Sequence, residues 1–366
     1  MEKKTVATIT YHRSDNFGSV LQAYALGEAL RQLGYEQFNI DYRRKEVAQV
    51  YRILQPLNSK FNVVTDCYHL LHYPALKRRQ RRYEQFRQKW LRLSRVYTQK
   101  QELMDSPPAA DAYITGSDQV WNTPLKDYDE SFLLDFVKQG RKIAYAASGI
   151  KAASTEESLV PVRKHIPDFD AVSVRENVAK ARLEDVCPVS VRIDPVLLLQ
   201  KQDWEKLCSP QNRKKPYMLC YFAGGVSAAF EAFTAAKARE LGLERVILMP
   251  EWRNLFRPGS CCYDAGPEEF VSLIREAALV CTNSFHGTAF SVVLGKPFLV
   301  GQAVPFADDR IATLLGTLGL TDREIDPTSP VLPERVMELD TRSYADSLAQ
   351  LRQRDLAWLR EQIEGV

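Results

Sequence analysis

Nowhere in the 366 residues does an apolar run reach the roughly 18 residues a helix needs to cross a bilayer, so a membrane span is excluded. The opening Met1-Glu2-Lys3-Lys4 is basic but leads only into Thr5 to Thr10 before polar residues return, and no secretory leader is expected. Cysteine is sparse and irregular: seven residues, an odd count, with no C-x-x-C spacing and no histidine pair nearby. That pattern argues against a disulfide framework and against a zinc site, and for a reducing cytoplasm. The neighbours Cys261-Cys262 are awkward to bridge to one another. A net charge of only +3 rules out an overall electrostatic attraction to nucleic acid, which is not expected as a partner. Neither a metal-binding acidic cluster nor the G-x-G-x-x-G of a dinucleotide site is present, so neither a metal nor a resident cofactor is expected.

What is present is the composition of a folded protein, 45% apolar and 26% charged, in a chain long enough for two domains. Val6 to Thr10 reads as a strand, followed by a polar turn and a helix with Ala23, Leu26, Leu30 and Leu33 on one face and Gly34 at its end. Gln37 to Tyr42 completes a βαβ unit. Further strands are expected at 112–115, 143–146, 171–174 and 189–193. Residues 51–96 read as a basic helical insertion centred on Lys77 to Arg82, either a solvated face or a docking surface for an acidic partner. After a linker at 200–215, the rhythm repeats with strands at 217–222, 246–249, 279–282 and 296–300. Pro267 sits at the first position of a helix whose first turn is acidic. The expected domains are 1–199 and 216–340, with a last helix in 341–366 packing back on the first. The architecture is α/β: two Rossmann-like domains facing across a cleft.

Ligands of parallel sheets bind beyond the strands' carboxyl ends, and three turns there are unusually polar. In the first, Asn16 and Gly18 offer a helix cap and backbone donors for an anion or a sugar hydroxyl. Ser19 adds a hydroxyl to the first turn. In the second, Ser117, Asp118, Gln119, Trp121 and Asn122 crowd behind Gly116. Asp and Asn suit sugar hydroxyls and Trp121 suits a pyranose face, unless the group is a cap with a packed tryptophan. The third, Asn283-Ser284-Phe285-His286, puts a histidine in the first turn of an apolar helix, where a bound anion can raise its proton affinity. The bland reading is a satisfied core histidine.

At these turns the sequence resembles the polysaccharide pyruvyl transferase family. The resemblance is carried by Asn16 to Leu26, Gly116 to Asn122, Ser173 to Glu176, Asp194 to Leu198, Gly266 to Phe270 and Thr282 to Ser291. It implies a GT-B-like fold and a cytoplasmic bacterial transferase, working at the inner face of the membrane where its substrate is membrane-bound. The implied donor is phosphoenolpyruvate and the implied acceptor a glycan or lipid-linked sugar of an exopolysaccharide precursor. His286 resembles the family's catalytic acid, Asp118 a carboxylate serving as general base, and Arg175 a ligand of the donor's anionic groups. Family members often carry arginine where this chain has Ser284. Arg175, Arg253 or Arg310 then supplies the missing charge, Arg310 foremost, or the donor is another compound. The alternatives are a GT-B-like glycosyltransferase using a nucleotide sugar and a non-catalytic glycan-binding relative.

Overall fold

The computed structural model describes residues 3–44, 52–53, 67–209, 213–248, 260–302 and 308–365. The strands are β1 (Thr5–Ile9), β2 (Glu36–Tyr42), β3 (Leu93–Tyr97), β4 (Ala112–Thr115), β5 (Arg141–Ala147), β6 (Ala171–Val174), β7 (Val189–Val191), β8 (Tyr217–Tyr221), β9 (Glu244–Leu248), β10 (Ser260–Cys262), β11 (Leu279–Thr282), β12 (Phe298–Gly301) and β13 (Glu324–Ile325). The helices used below are α1 (Phe17–Gln32), α2 (Tyr73–Trp90), α3 (Pro195–Leu198), α4 (Ala228–Glu240), α5 (Pro267–Glu276), α6 (Phe285–Leu294), α7 (Asp309–Leu318) and α8 (Arg342–Glu364).

The first compact unit gathers Met1–Tyr51, Arg87–Leu199 and Leu348–Val366. Its seven strands lie in the order β3-β2-β1-β4-β5-β6-β7, every pair parallel. Parallel neighbours need long crossovers, and helices supply them. The sequence pattern marks one apolar face on α1, but thirteen of its sixteen residues are buried. The reason is that more than the sheet covers it: α3 packs along it, and Trp90 meets Tyr24 edge-on at 5.8 Å. Gly34, just past the Leu33 cap, has φ +99, the left-handed conformation that stops the helix.

The second unit gathers Arg52–Phe86 and Gln200–Ser347. Its six strands, in the order β10-β9-β8-β11-β12-β13, are again all parallel. Pro267 opens α5, and Glu269 folds back to accept from the Gly266 N–H at 2.9 Å. All ten residues of α6 are buried, which explains its nearly continuous apolar sequence. Three strands have no counterpart in the sequence reading: β3, at the end of the stretch read as helical, and the short edge strands β10 and β13. The stretch read as a linker contains a helical turn, Lys201–Glu205. All seven cysteines are free.

The end of α8 is tied to the first unit by a buried carboxylate. Asp355, fully buried, accepts from the Ile193 N–H at 2.7 Å, from Arg192 at 3.0 Å and from Arg354 at 2.7 Å. Removing one member of such a set strands the others, at a cost of about 3 kcal/mol. Asp355→Ala is therefore expected to lower unfolding stability by about that amount, and Asp355→Asn by less. Urea denaturation measures both, and a neutral Asp355→Ala would contradict the assignment.

Candidate active site

A parallel sheet has a switch point where the strand order reverses, and two loops diverge there beyond the carboxyl ends. In the first unit it lies between β1 and β4, which pair from Val6↔Ala112 to Ile9↔Thr115. The loops leaving these strands hold Thr10 to Asn16 and Gly116 to Asn122, the first two polar turns of the sequence. Side chains knit them together. Thr10 Oγ1 donates to the Ser117 carbonyl at 2.9 Å. Gln22 Nε2 donates to Thr10 Oγ1 at 2.9 Å, while the Ser117 N–H donates to Gln22 Oε1 at 3.1 Å. Ser19 donates its hydroxyl proton to Asp118 Oδ2. The backbone is unusual here: Asp118 (φ +70) and Ala146 (φ +46) both adopt left-handed conformations, which cluster where neighbouring structure imposes them. A Cβ on Gly116 would stand 2.3 Å from the Tyr145 carbonyl oxygen, so only glycine fits.

Behind this turn runs a buried ionic chain. Arg175 Nη1 donates to Asp194 Oδ2 at 2.5 Å and Nη2 to Ser148 Oγ at 2.9 Å. Ser148 donates in turn to Glu176 Oε1 at 2.6 Å. Beside it, Asp41 at the end of β2 takes Arg13 Nε at 2.7 Å and Arg43 Nη2 at 2.7 Å. His12 lies with Nδ1 3.1 Å from the Thr10 carbonyl oxygen and Nε2 3.5 Å from Asp41 Oδ1. Arg87 of α2, itself buried, donates to the carbonyls of His12 at 2.9 Å and Ser14 at 2.9 Å and to Asp15 Oδ1 at 2.6 Å. One guanidinium thus holds the β1–α1 loop.

In the second unit the switch point lies between β8 and β11. Asn283 bridges the two loops: its Oδ1 accepts from the Ala223 N–H at 2.7 Å and its Nδ2 donates to the Gly225 carbonyl at 2.6 Å. Ser284 caps α6, accepting from the Gly287 N–H at 3.5 Å. A Cβ on Gly287 would meet Thr282 Oγ1 at 2.4 Å, so this first turn packs closely on the end of β11. His286 follows, 9% exposed, in the turn where the helix dipole is most positive. Arg310, at the start of α7, is held by Asp308, and its guanidinium carbon lies 6.0 Å from the centroid of the Phe285 ring. Arg310 therefore stands beside the residue preceding His286.

The expected site residues thus divide between the two switch points. Asn16 is exposed and caps α1 by accepting from the Ser19 N–H at 3.2 Å, and Gly18 lies buried in its first turn. Gln119 and Asn122 are half-buried and bonded to each other at 2.7 Å. Ser117 is fully buried, its hydroxyl donating to the Ala146 carbonyl at 2.6 Å. Two expectations are corrected. Trp121 is 1% exposed and packs edge-on against Phe169 in the core, so it is a packed tryptophan rather than a sugar platform. Arg175, 3% exposed, commits its guanidinium to Asp194 and Ser148, so it is no ready substitute for the missing arginine. Arg253 lies outside the described residues. Sequence reasoning missed Thr10, Gln22, Asp41, Arg87 and Asp194 as site residues. A glutamine on an otherwise apolar helix was the available signal for Gln22.

A model of the polysaccharide pyruvyl transferase family matches residues 16–300, from the cap of α1 into β12. No curated protein matches the chain. Among solved structures, the UDP-GlcNAc 2-epimerase from Neisseria meningitidis bound to UDP-GlcNAc is similar over 98% of this chain and 94% of its own, at 11% identity and TM-score 0.50. The UDP-N-acetylglucosamine 2-epimerase from Rickettsia bellii is similar over 99% and 98%, at 10% identity and TM-score 0.50. These likenesses establish the fold, a GT-B-like α/β arrangement of two parallel sheets.

The first switch point yields a test by pH. Burial pushes the His12 imidazole below its ordinary 6.5, more than the Asp41 bond and charge raise it. Burial works to raise the Asp41 carboxyl, but bonds from His12, Arg43 and Arg13 outweigh it and hold the pKa well below the usual range. Below about pH 6.5 the unfolded chain takes up a proton at His12 that the folded chain refuses, so stability falls as pH drops. Asp41 acts in the same direction at lower pH, its contribution present above about 3.9 and lost in strong acid. His12→Asn should flatten the loss of urea stability between pH 7 and 5, and an unaltered slope would show that this imidazole does not set it. Since the family model covers most of the chain, from the α1 cap through the Gly116–Asn122 turn to the histidine helix, the chain belongs to the polysaccharide pyruvyl transferase family.

Proposed function

We propose that this protein transfers a pyruvyl group from phosphoenolpyruvate to a sugar of a cell-surface polysaccharide precursor. The observation that carries the reading is a family match whose span contains His286, in the first turn of α6 at the switch point of the second unit. Phosphoenolpyruvate presents phosphate and carboxylate, the anions that a helix amino terminus and a neighbouring arginine receive. Ser284 supplies the helix cap, and Arg310, beside Phe285, supplies the charge that arginine provides at that position in other members.

In the proposed reaction His286 gives a proton to the methylene carbon of the donor, and positive charge develops at the adjacent carbon. A sugar hydroxyl adds there, losing its proton to Asp118, and the phosphate leaves. A second hydroxyl of the same sugar then closes the ketal, its proton returning to His286, while the phosphate carries off the proton taken by Asp118. Arg310 and the amide groups opening α6 hold the phosphate and carboxylate while this charge forms and is discharged. Asn16, Gln119 and Asn122, the exposed and half-buried polar groups of the first switch point, are assigned to the acceptor. The donor's own double bond and phosphate ester supply the reactivity, so the role of the protein is positioning and proton transfer.

Purified protein should release phosphate from phosphoenolpyruvate when offered a lipid-linked sugar from a suitable panel. His286→Ala should reduce turnover by about a hundredfold or more while leaving the melting temperature near that of the parent. Arg310→Ala should chiefly raise KM for the donor, by about tenfold or more. Near-normal turnover in His286→Ala would remove it as the acid. Stabilisation by uridine diphosphate but not by phosphoenolpyruvate would favour a nucleotide-sugar enzyme, and stabilisation by glycan alone a binding protein.

A further inference from the structure

Among the described residues no helix is long and apolar enough to cross a membrane. One surface nevertheless combines apolar exposure with positive charge. Among the described residues seven large hydrophobic side chains are exposed, and three of them fall within four consecutive residues: Leu70 at 57%, Leu71 at 69% and Tyr73 at 37%. Backbone bonds from His72 N to Tyr68 O and from Leu76 N to His72 O carry the helical path from this point into α2. From Cys67 to Arg82 the exposed positions are 67, 70, 71, 73, 74, 77, 78 and 81, which fall on one broad side of the helix. From Cys67 to Tyr83 there is no aspartate or glutamate but five basic residues, Lys77, Arg78, Arg79, Arg81 and Arg82. In a chain of net charge +3 this is a local concentration.

The opposite face is anchored. Tyr83 and Phe86 are buried, and His72 stacks on Tyr263 at 3.9 Å with 13° between the rings. Arg78 and Arg82 reach Asp264 at 3.2 and 3.4 Å, and Arg82 also reaches Glu269 at 3.2 Å. Packing therefore fixes which side of the helix looks outward.

We propose that the face formed by Leu70, Leu71, Tyr73, Lys77 and Arg81 docks the protein on an anionic phospholipid surface. The leucines and Tyr73 would enter the boundary between headgroups and acyl chains, while Lys77 and Arg81 meet lipid phosphates. Charge alone would suit a nucleic acid equally, but two exposed leucines gain nothing from a phosphate backbone and gain from leaving water for lipid. Binding at a surface without crossing it is what a short apolar knob beside a basic stripe achieves. Nothing in this surface depends on which donor the enzyme takes, so vesicle binding and phosphate release can fail separately.

The test is cosedimentation of the full chain with vesicles of phosphatidylcholine alone or with one third phosphatidylglycerol, at low and at physiological salt. Binding is expected to the anionic vesicles and to weaken with salt. Lys77→Gln and Arg81→Gln should each reduce it about fivefold, the contribution of one basic residue near such a surface. Leu70→Ser with Leu71→Ser should reduce it further while leaving phosphate release with a soluble acceptor unchanged. The changes are confined to exposed side chains, and circular dichroism melts confirm the fold. Equal binding to both vesicle types, no binding, or insensitivity to these substitutions would overturn the proposal. So would displacement from vesicles by single-stranded RNA at lower concentration than by lipid. A dimer that Leu70→Ser and Leu71→Ser dissolve and that does not bind vesicles would overturn it as well.

Discussion

In a sheet whose strands all run the same way, every carboxyl end lies along one edge, and at the switch point two loops part and leave their polar ends unpaired. Each unit has one such point, between β1 and β4 and between β8 and β11. Backbone groups freed there must find partners, because a buried amide or carbonyl without one costs as much as a lost hydrogen bond. In the first unit Thr10, Gln22 and Ser117 close a ring of bonds across the gap. In the second, Thr282 donates to the Tyr221 carbonyl, and Asn283 binds an N–H and a carbonyl of the opposite loop. The residues placed next to these braces, Asp118 and His286, are the ones to which the proposed reaction gives the base and the acid.

The first unit carries an unusual load of buried charge. Asp41, Arg87, Arg175, Glu176, Asp194 and Asp355 are all nearly inaccessible, and each carboxylate meets at least one cationic group or backbone donor at hydrogen-bond distance. Such pairs add little net stability against an apolar core, but they do not tolerate the loss of a member. What they contribute here is definition. Arg87 holds three consecutive carbonyls of the loop entering α1, and Arg175 joins the end of β6 to the cap of α3 through Asp194. Both sit behind the candidate acceptor residues, where a loop free to wander would misplace them.

The helix from Cys67 through α2 shows how one basic stretch serves different ends. Arg82 and Arg87 are spent on internal partners, Asp264 and Glu269 for the first and the β1–α1 loop for the second. Lys77 and Arg81 remain on the outward side with Leu70 and Leu71. Reading the segment only as a charge run conceals that division, because side chains a few residues apart on a helix face opposite ways.

Periodicity and turn chemistry in the sequence were sufficient for the α/β rhythm: β4, β6 and β11 lie where β-branched runs end in polar turns, and α5 starts at Pro267. The short edge strands β10 and β13 and the misread β3 were hidden, because an edge strand of two to five residues gains its identity from the neighbour it pairs with. The polar turns were legible as unusual, and their residues did come to lie at the switch points. Which of them are spent internally was not legible. Trp121 and Arg175 look like ligand residues in one dimension, and only packing reveals that Trp121 fills the core and Arg175 answers Asp194. Local pattern depends on neighbours a few residues away and can be read from the chain. The partner of a buried charge sits across a sheet, 19 residues on for Arg175 and 72 back for Arg87, and only the folded structure names it.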